Sequence, residues 1–186
     1  MDGAPETLSN EQLNKLSDRT HFNSDEVRRR YDAFLKDFSE GCVCRREFID
    51  TYHKAFPVAQ PDDVQRYANY MFNAYDIDSD GEISFTDYML TLSVCERGTI
   101  DEKLKWAFSL YDINGDGQIS LSEATEILTA IHCLQGRGDR DTAEKVARRI
   151  FRALDVNGDG LLSEAEFVVG AKNEPAVMDM LQGDSV

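Results

Sequence analysis

Apolar residues along this chain recur at intervals of three and four, and the stretches between them are short, polar and rich in glycine and aspartate. Val27, Tyr31, Phe34, Leu35 and Phe38 fall on one face of a helix over residues 25–38. Ser24 is placed to cap its start, and Asp25 and Glu26 suit the first turn. A second stripe, Leu104, Phe108, Leu110 and Tyr111, predicts a helix from Ile100. A third, Val146, Ile150, Phe151 and Leu154, predicts one over residues 141–154. Proline is scarce, so little interrupts these helices.

An internal repeat organises them. A helical pattern ending in an aromatic residue or leucine runs into an acidic, glycine-containing loop, and another helical pattern follows. The unit recurs at Tyr75-Asp76, Tyr111-Asp112 and Leu154-Asp155, with a fainter copy centred on Gly41. Paired copies predict two lobes, residues 1–95 and 99–186. They join at Glu96-Arg97-Gly98-Thr99, a polar break with a helix-ending glycine.

The loops carry the candidate chemistry. In loop 76–87, oxygen side chains stand at Asp76, Asp78, Asp80, Ser84 and Asp87, with Gly81 sixth. In loop 112–123 they stand at Asp112, Asn114, Asp116, Ser120 and Glu123, with Gly117 sixth. In loop 155–166 they stand at Asp155, Asn157, Asp159, Ser163 and Glu166, with Gly160 sixth. Calcium is a hard cation that takes about six to eight oxygens. Positions one, three, five and twelve supply side-chain oxygens. Position seven supplies a backbone carbonyl, so Glu82, Gln118 and Leu161 are free to differ there. Position nine usually acts through water, and position six makes a turn that disfavours a Cβ. The apolar eighth residues, Ile83, Ile119 and Leu162, are placed to pair with a partner loop as short strands. A lone acidic turn would be weak evidence, but three full matches between amphipathic helices specify EF-hands.

The expected fold is therefore all-α, with four EF-hands in two paired lobes and short β-ribbons between paired loops. Three Ca2+ sites are expected. Loop 76–87 ends in Asp87, one methylene shorter than glutamate, and should be the most tolerant of Mg2+. The first loop, 36–47, has Lys36 at position one and Phe38 at three, which oppose a metal. Val43 at position eight suits a scaffold role.

The net charge of −15 argues against a nucleic-acid binder, which needs a basic face, so no nucleic-acid partner is expected. No apolar run is long enough to span a bilayer, and the start of the chain carries no secretion signal, so a cytoplasmic protein is expected. Cys42, Cys44, Cys95 and Cys133 read as reduced thiols. His21, His53 and His132 are isolated, and no hydrolase, zinc-protease or phosphate-loop motif is present, so no enzyme is expected. Arg28-Arg29-Arg30 with Arg45-Arg46 offers at most a weak peripheral membrane contact, and a solvated helix face explains the run better. Arg137-Gly138-Asp139 reads as a turn, and the apolar stretch 177–181 as a segment that docks on its own lobe or leaves it for a target, with a plain core role suiting it about as well.

The phrases Phe34-Leu35-Lys36-Asp37, Lys103-Leu104-Lys105-Trp106-Ala107-Phe108-Ser109 and Gly170-Ala171-Lys172, with four hands and an inactive first one, resemble the neuronal calcium sensor family from about residue 8 to 182. The resemblance implies metal-driven opening of the hands. It also implies a groove in the first lobe for a helix of a target protein, with Tyr31, Phe34, Phe48, Tyr52, Phe56, Phe72, Phe85, Met89 and Leu92 at matching positions, although a core role suits most of these better. Three departures stand out. Asp2 replaces the glycine that this family myristoylates, so N-myristoylation is not expected. Arg30 stands where the family commonly has a groove tryptophan, and Phe38-Ser39 replaces a cysteine-proline pair. The connection around 135–140 is also short. The leading expectation is a calcium sensor regulating a partner. A calcium buffer and a constitutive EF-hand subunit of a channel or cyclase are the alternatives.

Overall fold

The computed structural model describes residues 8–136 and 140–174. Asp2, the Arg137-Gly138-Asp139 turn and the stretch 177–181 lie outside the described residues. In chain order the described elements are α1 (Asn10–Arg19), α2 (Ser24–Asp37), β1 (Cys42–Cys44), α3 (Arg45–Ala55), α4 (Pro61–Tyr75), β2 (Glu82–Ser84) and α5 (Phe85–Arg97). There follow α6 (Ile100–Tyr111), β3 (Gln118–Ser120), α7 (Leu121–Leu134), α8 (Arg140–Leu154), β4 (Leu161–Ser163) and α9 (Glu164–Asn173). This is the expected all-α arrangement with short ribbons.

Local signals set most boundaries. Helix α1, absent from the periodicity reading, begins at a capping box in which Ser9 and Gln12 bond each other's backbone amides. Helix α2 starts one residue earlier than expected, and its cap is Asn23 rather than Ser24. A capping box needs a side-chain acceptor such as Glu, Gln or Asp three residues after the cap. Counted from Asn23 that residue is Glu26, whereas from Ser24 it is Val27. Asn23 Oδ1 accepts the Glu26 amide, and Glu26 Oε2 accepts the Asn23 amide, both at 3.0 Å.

The joint is tighter than the sequence suggests. Glu96 and Arg97 belong to α5, and only Gly98 and Thr99 separate it from α6. Gly98 has φ −62, which any residue adopts, so left-handed geometry is not the reason for glycine. A Cβ there would lie 2.5 Å from the Val94 carbonyl oxygen. Close approach of backbone requires the glycine.

The ribbons match the expected register. Strands β1 and β2 pair antiparallel with Val43 opposite Ile83, and β3 and β4 pair with Ile119 opposite Leu162. These four side chains are buried and bind loop to loop. Two hydrophobic clusters form. One gathers Leu13, Leu16 and Phe22 with Phe34, Phe72 and Met89, and the other gathers Leu104, Phe108, Ile127, Leu128 and Phe167. Burying each such side chain contributes roughly 1.5–3 kcal/mol. Helix α4 serves both clusters, since Phe72 enters the first while Met71 and Ala74 enter the second. Aromatic contacts continue across, from Phe48 to Tyr75 at 5.6 Å and from Tyr75 to Trp106 at 6.3 Å.

Of the expected groove residues, Phe34, Phe72, Phe85 and Met89 are buried, while Tyr31, Phe48, Tyr52, Phe56 and Leu92 are half-buried. In this arrangement they pack against each other, with Tyr31 and Phe34 both edge-on to Phe85. Arg30 does not stand open in place of a tryptophan. Its guanidinium lies over the Phe22 ring at 4.5 Å and pairs with Glu96 at 2.7 Å. Arg28 donates to Asn10, and Arg45 donates to Asn69 and Asn73 while stacking on Phe72. Several members of the arginine run are thus tied into the protein's own contacts.

Candidate metal centres

Each acidic loop hangs between the end of one helix and the start of the next, and its carboxylates are pinned by backbone amides. Asp112 Oδ1 accepts the amides of Gly115 (2.9 Å) and Asp116 (3.1 Å), and its Oδ2 accepts that of Gly117 (2.9 Å). Asp155 accepts the amides of Gly158 (2.8 Å) and Gly160 (3.0 Å). Asp76 accepts those of Asp80 (3.1 Å) and Gly81 (3.0 Å). The first residue of each loop thereby curls the chain around itself. Gly81, Gly117 and Gly160 have φ of +92, +83 and +81, the left-handed region where a Cβ is strained.

Positions three and five follow the same logic. Asp116 Oδ1 accepts the amide of Gln118 and Asp159 Oδ1 that of Leu161, both at 2.9 Å. Asn114 and Asn157 donate their side-chain amides to Asp116 and Asp159 at 3.0 Å. In loop 76–87 the third position is a full carboxylate, and ligand oxygens of Asp76, Asp78 and Asp80 come within 4.8 Å of one another. The donor set in all three loops is oxygen alone, which fits a hard divalent cation. Carboxylates this close repel, and a bound cation would relieve the repulsion.

The twelfth position separates loop 76–87 from the other two. Glu123 Oε2 accepts the amide (2.8 Å) and hydroxyl (2.7 Å) of Ser120, while Oε1 reaches back across the loop to the Asn114 amide at 3.2 Å. Glu166 does the same with Ser163 and with the Asn157 amide at 3.4 Å. The Ser163 hydroxyl, then its amide, hold the Glu166 carboxyl below the ordinary glutamate range. Asp87 uses Oδ2 for the Ser84 amide and hydroxyl, and among the described residues no bond runs from it to the Asp78 amide. The methylene that aspartate lacks accounts for the absent bond across the loop.

Two features escaped the sequence reading. The serines at position nine, expected to act through water, also cap the outgoing helix and orient the position-twelve carboxylate. The signal was present as a capping box inside each loop. The second feature is strain at position four. Gly115 and Gly158 stand there with positive φ in two loops, but loop 76–87 has Ser79 at φ 58.

The first loop, 36–47, is built differently. Phe38 packs on Phe34 at 5.2 Å, and Glu47 accepts the Cys44 amide at 3.1 Å, acting as a helix cap. Cys42 and Cys44 are free thiols. The Glu82 carboxylate beside Cys42, helped by burial, pushes its thiol up to about 11.

Comparison with known proteins agrees with this geometry. Residues 101–172 match the model of an EF-hand domain pair, and residues 71–90 match that of an EF hand. The chain is 36% identical to neuronal calcium sensor 1 of Lymnaea stagnalis, over 94% of this chain and 92% of that one. It is 34% identical to human (Homo sapiens) recoverin, over 94% and 90%. It is 35% identical to guanylyl cyclase-activating protein 2 of Lithobates pipiens, over 92% and 89%.

Proposed function

The chain belongs to the neuronal calcium sensor family of EF-hand proteins, and on that premise we propose that it senses calcium through three loops and regulates a partner protein. Asp76, Asp78, Asp80 and Asp87 would hold one ion. Asp112, Asn114, Asp116 and Glu123 would hold a second, and Asp155, Asn157, Asp159 and Glu166 a third. The backbone carbonyls of Glu82, Gln118 and Leu161 complete the sets. When bound, calcium supplies the positive charge that offsets the clustered carboxylates.

The rest is the protein's own mechanics. Each position-twelve residue sits in the first turn of an outgoing helix: Asp87 in α5, Glu123 in α7 and Glu166 in α9. A carboxylate drawn toward its loop carries that helix with it. Displacement of α5 would part Phe85 and Met89 from Phe34, giving an apolar face for a partner helix. A cyclase is one partner class suggested by the similarity to a guanylyl cyclase-activating protein. The proposed setting is the cytoplasm, in two lobes of residues 1–95 and 99–186, with no catalysis by the chain itself. No helix among the described residues is long and apolar enough to cross a membrane.

The observation that carries this reading is the double reach of Glu123 and Glu166, from their own helix caps back to the position-three amides. That reach couples loop closure to helix position. Loop 76–87, lacking it, is proposed to accept Mg2+, whose preference for six oxygens tolerates a shorter closing residue.

The test is a calorimetric calcium titration of metal-stripped protein, with native mass spectrometry for stoichiometry and an apolar-surface dye as readout of opening. Three ions with a calcium-dependent rise in dye fluorescence support the proposal. Uptake without that rise would make the protein a buffer, and no uptake would overturn the reading.

A further inference from the structure

Helix α8 is an electrostatic exception in this acidic chain. Arg140, Lys145, Arg148, Arg149 and Arg152 face only Asp141 and Glu144 along its length, while the whole protein carries −15. The buried side is fixed by Ala143, Ala147, Ile150, Phe151 and Leu154. At 3.6 residues per turn, Lys145, Arg149 and Arg152 lie opposite that side, on the outermost ridge, over a rise of about 10 Å. All three are exposed.

Two ordinary explanations account for part of this. Arg148 pairs with Glu144 on the same helix. Arg152, in the last turn, is favoured by the helix dipole. Neither applies to Lys145 and Arg149, which lie in the middle of the helix. Asp141, one turn before Lys145, is the acidic side chain at the start of their ridge, and among the described residues it forms no ion pair with Lys145. Lys145 and Arg149 are spaced i,i+4 and Arg149 and Arg152 i,i+3, and like charges at those spacings destabilise a helix. Among the described residues, Lys145, Arg149 and Arg152 make no ion pair.

We propose that the outer ridge of α8 docks an acidic peptide segment of a partner protein. Charge complementarity selects this occupant, and the surroundings select a narrow one. Arg152 lies three residues before Asp155, where the acidic loop 155–166 begins. A flat anionic surface laid on α8 would meet that loop within the Debye length of roughly 8–10 Å. A peptide strand following the ridge brings fewer of its charges within that distance. The docking site is separate from the metal loops and from the apolar face proposed above, so it stands whether or not calcium opens the protein.

The test is fluorescence anisotropy with a short fluorescein-labelled peptide bearing glutamates at i,i+4 spacing. It is run on the full chain in chelator and in calcium, at about 0.05 M and about 0.3 M salt. The wild type should bind and weaken at the higher salt. The Lys145→Glu/Arg149→Glu/Arg152→Glu variant should bind at least about tenfold more weakly. A control with two exposed cations reversed elsewhere, Arg19→Glu/Lys54→Glu, should bind as the wild type does. Circular dichroism checks folding, and the milder Arg149→Gln variant should show a partial loss. The proposal is overturned if the wild type does not bind, if the α8 variants bind as the wild type does, or if the control loses as much. It is also overturned if vesicles with about one-third phosphatidylserine show the α8-dependent binding in place of the peptide.

Discussion

Replacing Asp87 by glutamate should convert loop 76–87 into a tighter calcium site. Glu123 and Glu166 each span two anchor points, their cap serine and a position-three amide 3.2 or 3.4 Å away. Asp87 spans only the cap, with the Ser84 amide at 3.0 Å. One added methylene supplies the missing reach to Asp78. A hydrogen bond to a charged group contributes about 1.5–3 kcal/mol. The two observed examples are at or beyond the long end of good geometry, so the lower part of that range or a little less, about 1–1.5 kcal/mol, is appropriate. If that bond pre-places the closing carboxylate for the ion, so that its ordering is no longer a cost of binding, 1.4 kcal/mol per factor of ten makes the gain up to about tenfold in calcium affinity. The assay is a calorimetric calcium titration with and without magnesium, in a Glu123→Gln/Glu166→Gln background that weakens the other two loops. Asp87→Glu should tighten calcium and reduce competition by magnesium. If calcium affinity at this loop stays level or falls while the fold is intact, the assignment of Asp87 as the weak closing residue is wrong.

Gly98→Ala should destabilise the protein by about 2 kcal/mol, because the new Cβ meets the Val94 carbonyl at 2.5 Å; thermal unfolding should show a loss of roughly 4–8 °C. Ser79→Gly should stabilise metal-free loop 76–87, since relief of about 1–2 kcal/mol of left-handed strain exceeds the added chain entropy by about 0.5–1 kcal/mol, read by chemical denaturation. The Arg97 guanidinium, then the Asn23 amide, hold the Glu26 carboxyl at about 2 against an ordinary 4.5. Its folded-state pKa is depressed, so the stability it contributes is fully present above pH 4.5 and is lost as pH falls toward 2; Glu26→Gln should flatten that part of an acid-unfolding profile.

What the sequence made legible was what fits within one loop. The spacing of oxygen side chains, the glycine at position six and the apolar eighth residue all lie inside twelve positions, so the constraints of one loop and one ribbon are local. The shift of the α2 cap to Asn23 was readable from Glu26 once the box was counted from the right residue. The Ser9 to Gln12 box announcing α1 was equally visible. Long-range contacts were not. Glu26 and Arg97 are 71 residues apart, and nothing local indicates that they meet. Within α4, Phe72 enters one cluster while Met71 and Ala74 enter the other. Periodicity reports that a face is buried, not which core buries it.

The Phe22 clamp shows how the first half of the chain holds its shape with less help from its loops. Loops 112–123 and 155–166 repeat almost the same hydrogen bonds, whereas loop 36–47 substitutes Phe38 on Phe34 for a ligand. Near that weaker pair, Phe22 lies between two guanidinium groups, Arg30 at 4.5 Å and Arg97 at 4.4 Å, and is almost fully buried. Arg97 also donates to the His21 carbonyl at 2.8 Å and to Glu26. Cation–π contacts of this kind contribute about 0.5–2 kcal/mol each. Arg97 is the last residue of α5, and Asp87 stands in that helix's first turn. One helix therefore carries the short closing residue of loop 76–87 at one end and the clamp on Phe22 at the other. The side-chain packing around Phe22 is mechanically continuous with the loop whose last residue makes no bond back to its third.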